Sequence, residues 1–106
     1  MMGFQENLAG LAPADHLDRI ELEGPPGLAG VIENKPGSQG SLRVYQHLAL
    51  KHGCLDPAAA EEGLALYAEH AADALAHPGK HPNIDRLLEI RARGLVLAPH
   101  LIAANP

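Results

Sequence analysis

The stretch HLDRIELEGPPGLAGVIE, His16–Glu33, decides the class of fold. Asp18, Ile20 and Leu22 alternate with Arg19, Glu21 and Glu23, so an extended chain puts the two sets on opposite faces and solvates one of them. Gly24–Gly27, read Gly-Pro-Pro-Gly, cannot continue that strand. Its prolines remove two ladder donors, and its glycines permit turn dihedrals. LAGVIE, Leu28–Glu33, then resumes an apolar run, and the whole stretch predicts an antiparallel hairpin.

The flanking sequence reads as helical. Upstream, Phe4, Leu8 and Leu11 recur at helical spacing before Pro13, which predicts a short helix over about Gly3 to Ala12. Downstream, the turn-rich NKPGSQGS, Asn34–Ser41, opens onto LRVYQHLALKHG. There Leu42, Tyr45 and Ala49 form a stripe widened by Val44 and Leu48. Ser38 or Ser41 suits the N-cap, and Gly53 the left-handed residue that ends the helix. Asp56 as N-cap and Pro57 at the first helical position start a longer helix, predicted to run unbroken from Pro57 to Ala76. Ala60, Leu64, Ala68, Ala71 and Leu75 are its packing stripe, and Pro78 and Gly79 end it. A last helix follows, capped by Asn83 and stopped at Gly94, with Ile84, Leu87 and Leu88 facing inward. LVLAPHLI, Leu95–Ile102, is β-like with Pro99 at an edge.

The order predicts a single α+β domain over residues 1–106: a small antiparallel or mixed sheet (N-terminal hairpin plus C-terminal strand) covered by three to four helices. An open sheet edge makes a homodimer conceivable.

Composition narrows the function. The chain has 106 residues and a formal charge of −5, with thirteen acids against eight scattered Lys and Arg. That argues against nucleic acid, whose phosphates need clustered cations. Ala and Leu supply 35 residues while Phe4, Tyr45 and Tyr67 are the only aromatics, so the core must be aliphatic. No apolar run is long enough to span a membrane. Cys54 is alone and has no intramolecular disulfide partner. The first basic residue is Arg19, which does not suit a signal peptide; the expected compartment is the cytoplasm.

Two polar, turn-rich segments could carry chemistry. In Lys35–Ser41, glycines, a helix start and Lys35 supply the parts of an anion site, with Lys35, Ser38, Gln39 and Ser41 as candidates. GxxxxGK[ST] and GxGxxG are both absent, so neither nucleotide fingerprint applies. The competing reading is a flexible capped connector. HPGKHPNIDR, His77–Arg86, crowds Lys80, His81, Asn83, Asp85 and Arg86 onto a loop stiffened by proline. Asp85 there could orient His81 as a base; the same residue types also serve as caps and turns. A third pattern places His70, Asp73 and His77 on one helical stripe, with His81 folding back. These are ligand types for Zn²⁺ or a similar divalent metal, although HExxH and cysteine pairs are absent. His16, His47, His52 and His100 are scattered and read as surface or satisfied groups. Cys54 reads as a small apolar residue.

KPGSQGSLRVYQHLA, AAAEEGLALYAEHAADA and HPGKHPNIDRL resemble stretches of a family of short bacterial proteins known only as a domain of unknown function. The resemblance covers nearly the whole chain. It implies a bacterial, intracellular, single-domain protein and transfers no activity, cofactor or residue role.

The residues therefore favour a small cytoplasmic binding or interaction module without catalysis, using the 35–41 and 77–86 loops. Its partner would be an unknown protein or a small anionic ligand, with no nucleic acid and no membrane. The alternative is a divalent-metal protein or small hydrolase-like enzyme centred on His70, Asp73, His77 and His81. The deciding question is whether the two loops line one pocket.

Overall fold

The computed structural model of the chain describes residues 3–24 and 27–104. In chain order it contains α1 (Phe4–Ala9), β1 (Leu17–Gly24), β2 (Gly27–Glu33), α2 (Gln39–His52), α3 (Pro57–Tyr67), α4 (Glu69–Ala76), α5 (Pro82–Arg93) and β3 (Ala98–Ala103). The fold is α+β. The strands form one antiparallel sheet in the order β2-β1-β3, so the C-terminal strand joins the hairpin on its open side. The expected hairpin forms with Gly24 paired to Gly27. Pro25 and Pro26 of its turn lie outside the described residues.

Register sets the two faces. Ile20 pairs with Ile32 on one side and Leu101 on the other, giving an apolar row that faces the helices. Glu21 pairs with Val31 and His100 on the outer face. A register shift between Leu17 and Arg19 corrects the simple alternation. It turns both Leu17 and Ile20 inward and leaves Asp18 exposed, where strict alternation put Asp18 with Ile20. Pro99 sits in the edge strand β3, where its missing N–H breaks no central ladder. Leu95–Leu97, read as part of that strand, lies before it. Leu97 instead exchanges two backbone bonds with Leu55, of 2.8 and 2.9 Å.

Helix α2 packs on β1 and β2, and α3 packs closely against α5. Gly63 makes the second contact possible: a Cβ there would lie 2.7 Å from Leu87 Cδ1 and 2.8 Å from Leu48 Cδ1. The core is aliphatic as composition required, built around Ile20, Leu22, Leu48, Leu55, Leu87 and Ile90. Tyr45 lies at its centre with no exposed surface.

The helix predicted over Pro57–Ala76 is two helices. Tyr67 ends α3, and Ala68, at φ 52° and ψ −118°, turns the chain before α4 begins at Glu69. Helical periodicity runs through this point because Leu64 and Ala71 both touch the core, so the pattern gave no sign of a break. The first helix is also shorter than predicted and ends at Ala9. Asp56 does cap α3, accepting Ala59 N–H at 2.9 Å. Asn83 does not cap α5, which begins at Pro82 with His81 in the cap position. Ser38 occupies the cap position of α2, but its hydroxyl turns back to the carbonyls of Glu33 and Lys35.

Candidate functional site

The fold leaves an open cavity of about 620 Å³ between α1, the first turn of α2 and the segment joining α4 to α5. Gly37, Gln39, Gly40 and Ser41 line it from one side; Lys80, His81, Pro82 and Asn83 line it from another. Two segments far apart in sequence thus share one volume. Concave sites of this size with a few convergent polar groups are where small ligands bind.

Local chemistry fixes each wall. Gly40 lets α1 approach α2: a Cβ there would lie 3.2 Å from Phe4 Cζ. The backbone N–H groups of Gln39, Gly40 and Ser41 precede the first bond of α2, Leu42 N–H to Ser38 C=O. Such groups at a helix start are free donors. Ser41 Oγ accepts the hydroxyl of Tyr67 at 2.6 Å, and burial pushes the Tyr67 phenol far above its ordinary pKa, so it stays a neutral donor. Arg43 also borders the cavity. Its guanidinium closes the carbonyl end of α1 by bonding the C=O of Leu8 and Leu11 at 2.6 and 2.7 Å.

The opposite segment is held from behind. Tyr45 donates its hydroxyl to Asn83 C=O at 2.6 Å and accepts from Arg86 Nη1 at 3.2 Å. Burial raises the Tyr45 phenol to about 12. Arg86 also reaches Asn83 Oδ1 at 2.9 Å and lies 5.7 Å over the Tyr45 ring. Gly30 on β2 leaves room for it, since a Cβ there would lie 2.6 Å from Arg86 Nη2. Asp85 accepts Gly79 N–H at 2.9 Å and so shapes the turn. It does not orient His81. That role belongs to Asp73, whose Oδ2 lies 2.6 Å from His81 Nε2. Asp73 also pairs with Lys80 at 3.1 Å and His77 at 3.8 Å. The His81 bond first, then Lys80, holds its carboxyl down at about 2.

Of the residues singled out by sequence, Gln39, Ser41, Lys80, His81 and Asn83 line the cavity. Lys35, Ser38, Asp85 and Arg86 do not: Lys35 pairs with Glu33 at 2.8 Å, and the other three brace loops. His70 borders the cavity with His81, their ring centroids 5.9 Å apart. Asp73 and His77 stand behind. Among the described residues no three His, Cys, Asp or Glu side chains are grouped to hold a metal ion; within the His70, Asp73, His77 and His81 set, Asp73 bonds His81 and pairs with His77, while His70 meets His81 ring to ring. Sequence reasoning missed Phe4, Leu8, Tyr67 and Arg43 as cavity residues. Phe4, Leu8 and Tyr67 carry the signature of core, which they also are; Arg43, a cation in the first half of α2, carried no signal.

No helix among the described residues is long and apolar enough to cross a membrane. Comparison with curated proteins and with solved structures gives no match. A family model described as an uncharacterized protein conserved in bacteria, DUF2322, matches residues 4–100, a stretch that runs from α1 into β3 and includes both cavity loops. The chain therefore belongs to this bacterial family.

Proposed function

We propose that the chain is a bacterial cytoplasmic binding module whose site is the composite cavity and which acts by binding rather than by catalysis. One observation carries this reading: the Lys35–Ser41 and His77–Arg86 segments, polar and turn-rich in sequence, contribute neighbouring walls to one volume of about 620 Å³. The polar groups there have firm internal backing, so they are pre-organised, which lowers the ordering cost of binding a ligand. The occupant is a small molecule or the end of a partner chain.

Amide NMR against a mixed library of small carboxylates, phosphates, amides and terminal peptides tests this. Shifts confined to residues 37–43 and 80–84 are expected. A library that leaves both segments unmoved while the fold is intact removes the reading.

A second reading has its own observation. The 2.6 Å pair of Asp73 and His81 is the arrangement of a base and its orienting carboxylate. Turnover of any library compound, lost in Asp73→Asn, would favour a small enzyme; binding without chemical change favours the module.

A further inference from the structure

Resting on the binding-module reading, we infer that the cavity takes a neutral, flat aromatic amide, met by a hydrogen-bond donor on Asn83 and an acceptor on Gln39. The network around these two side chains fixes which way each amide faces. Arg86 Nη1 can only donate, so the atom of Asn83 that it meets at 2.9 Å is the oxygen, and Nδ2 is left over. The carbonyl of Leu17 can only accept, so Asn34 turns its nitrogen there at 2.8 Å and its oxygen toward Gln39. Gln39 answers with its nitrogen at 3.2 Å, and Oε1 is left over. Neither Asn83 Nδ2 nor Gln39 Oε1 has a partner among the described residues. No buried side-chain nitrogen or oxygen among those residues lacks a partner, so Asn83 Nδ2 is not closed off, and Gln39 is an exposed residue. Both residues line the cavity. One spare donor and one spare acceptor are what the C=O and N–H of an amide satisfy together.

The flat body follows from the wall. Tyr67 stacks on Phe4 at 5.3 Å and 15°, Phe4 meets the edge of His70 at 4.9 Å and 90°, and His70 lies 5.9 Å from His81. All four rings border the cavity, and an aromatic body gains stacked or edge contacts with them that a puckered ring does not. Neutrality follows from the charges in and directly behind the wall. Arg43, Lys80 and Arg86 are outnumbered by Asp15, Glu69, Asp73 and Asp85, so no positive excess awaits an anion. Most of these charges are also engaged. Arg43 bonds the carbonyls that end α1, Lys80 pairs with Asp73, Glu69 accepts Phe4 N–H at 2.9 Å, and Asp85 accepts Gly79 N–H. A cationic head of donors alone would set its N–H groups against Asn83 Nδ2, and an anionic head of acceptors alone would set its oxygens against Gln39 Oε1.

Four probes of nearly one size test this on the full chain by amide NMR: benzamide, benzoate, benzamidine and cyclohexanecarboxamide. Benzamide is expected to move residues 39–41 and 80–83, and to bind roughly tenfold more tightly than each of the others. Benzoate keeps the ring and offers acceptors only, benzamidine keeps it and offers donors only, and cyclohexanecarboxamide keeps the amide and loses the flat ring. Asn83→Asp retains an oxygen for Arg86 and turns the spare donor into an acceptor. It should weaken benzamide about tenfold and place benzamidine above it, a reversal that a merely structural role would not produce. Gln39→Met, at an exposed position, removes the acceptor and should weaken benzamide to a similar degree without reversing the order. Equal or tighter binding of benzoate or benzamidine to the native chain overturns the neutral amide, and equal binding of cyclohexanecarboxamide overturns the flat body. An unchanged order of probes in a folded Asn83→Asp overturns the role of Asn83; should that variant not fold, undiminished benzamide binding in Gln39→Met overturns the paired contact. If other library members move 37–43 and 80–84 while benzamide does not, the inference falls and the binding module stands. If nothing binds there, both fall.

Discussion

Two carboxylates in this molecule gather nearly the same partners and stand in different situations. Glu62 on α3 holds His47 at 2.6 Å, His52 at 2.9 Å and Lys51 at 3.0 Å. Asp73 on α4 holds His81 at 2.6 Å, Lys80 at 3.1 Å and His77 at 3.8 Å. Each is one acid with two imidazoles and an ammonium, and each carboxyl is held at about 2. The Glu62 group ties α2 to α3, and none of its members borders the cavity. The Asp73 group ties α4 to the segment before α5, and His81 and Lys80 face the cavity. A cluster of titratable side chains is therefore not what marks a site here. Adjacency to a volume separates a cluster that fastens two helices from one that can meet a ligand.

The largest effect that would sharpen this contrast comes from behind the Asp73 side. Tyr45→Phe removes the bond to the partly buried Asn83 C=O and one partner of Arg86, and should cost about 2 kcal/mol in urea unfolding. Amide shifts should spread through 80–86 and spare His47, His52 and Glu62. A cost below about 0.5 kcal/mol would mean that this lock does not fix the cavity segment.

The two carboxylates should then part company under substitution. Glu62→Gln is expected to cost about 1–2 kcal/mol, since it has three partners and two of them are half-buried imidazoles, and to leave ligand binding in the cavity unchanged. Asp73→Asn should change the ring ¹⁵N signals of His81 and weaken ligand binding in the cavity. If Glu62→Gln disturbs ligand binding as much as Asp73→Asn, position relative to the cavity is not the distinction.

Acid separates them further. Both carboxyls are depressed on folding, so each contributes stability that is present above its ordinary pKa and lost as pH falls through the folded value. For Glu62 that window runs from its ordinary 4.5 down to about 2; for Asp73 it runs from 3.8 to about 2. Stability of the native chain should fall across this range. Glu62→Gln should flatten the upper part of the slope, and a slope unchanged in that variant would remove Glu62 from the acid response.

The sequence carried the fold better than the site. Period-two alternation in Asp18–Glu23 and the caps at Asp56, Gly53 and Gly94 are local signals, and the elements they predicted form, with Asp18 displaced outward by the register shift. Both cavity segments were legible as polar turns. Their meeting was not, because it depends on Gly40 admitting Phe4 and on Tyr45 reaching Asn83, contacts between distant residues that leave no periodicity. Asp85 was the nearest carboxylate to His81 in sequence; Asp73, on another helix, is the one in contact. His47 and His52 were read as scattered for the same reason, since Glu62 reaches them across a helix interface.

The smallest expected effect tests the feature that separates the two carboxylates. Glu62 and Asp73 would lie on one straight rod if Pro57–Ala76 were a single helix, and Ala68 is where it breaks. At φ 52° and ψ −118° the Ala68 Cβ is in a region that glycine occupies without strain. Ala68→Gly relieves that strain, offset in part by the greater freedom of glycine in the unfolded chain. The net change should be a gain of about 0.5–1 kcal/mol. In an unbroken helix the same substitution would cost about 1 kcal/mol, because glycine is a poor helix residue. The sign of the shift in the urea midpoint therefore decides between the two geometries. A loss would mean that α3 and α4 are continuous, which would carry Asp73 and its imidazoles away from the cavity and erase the contrast with Glu62.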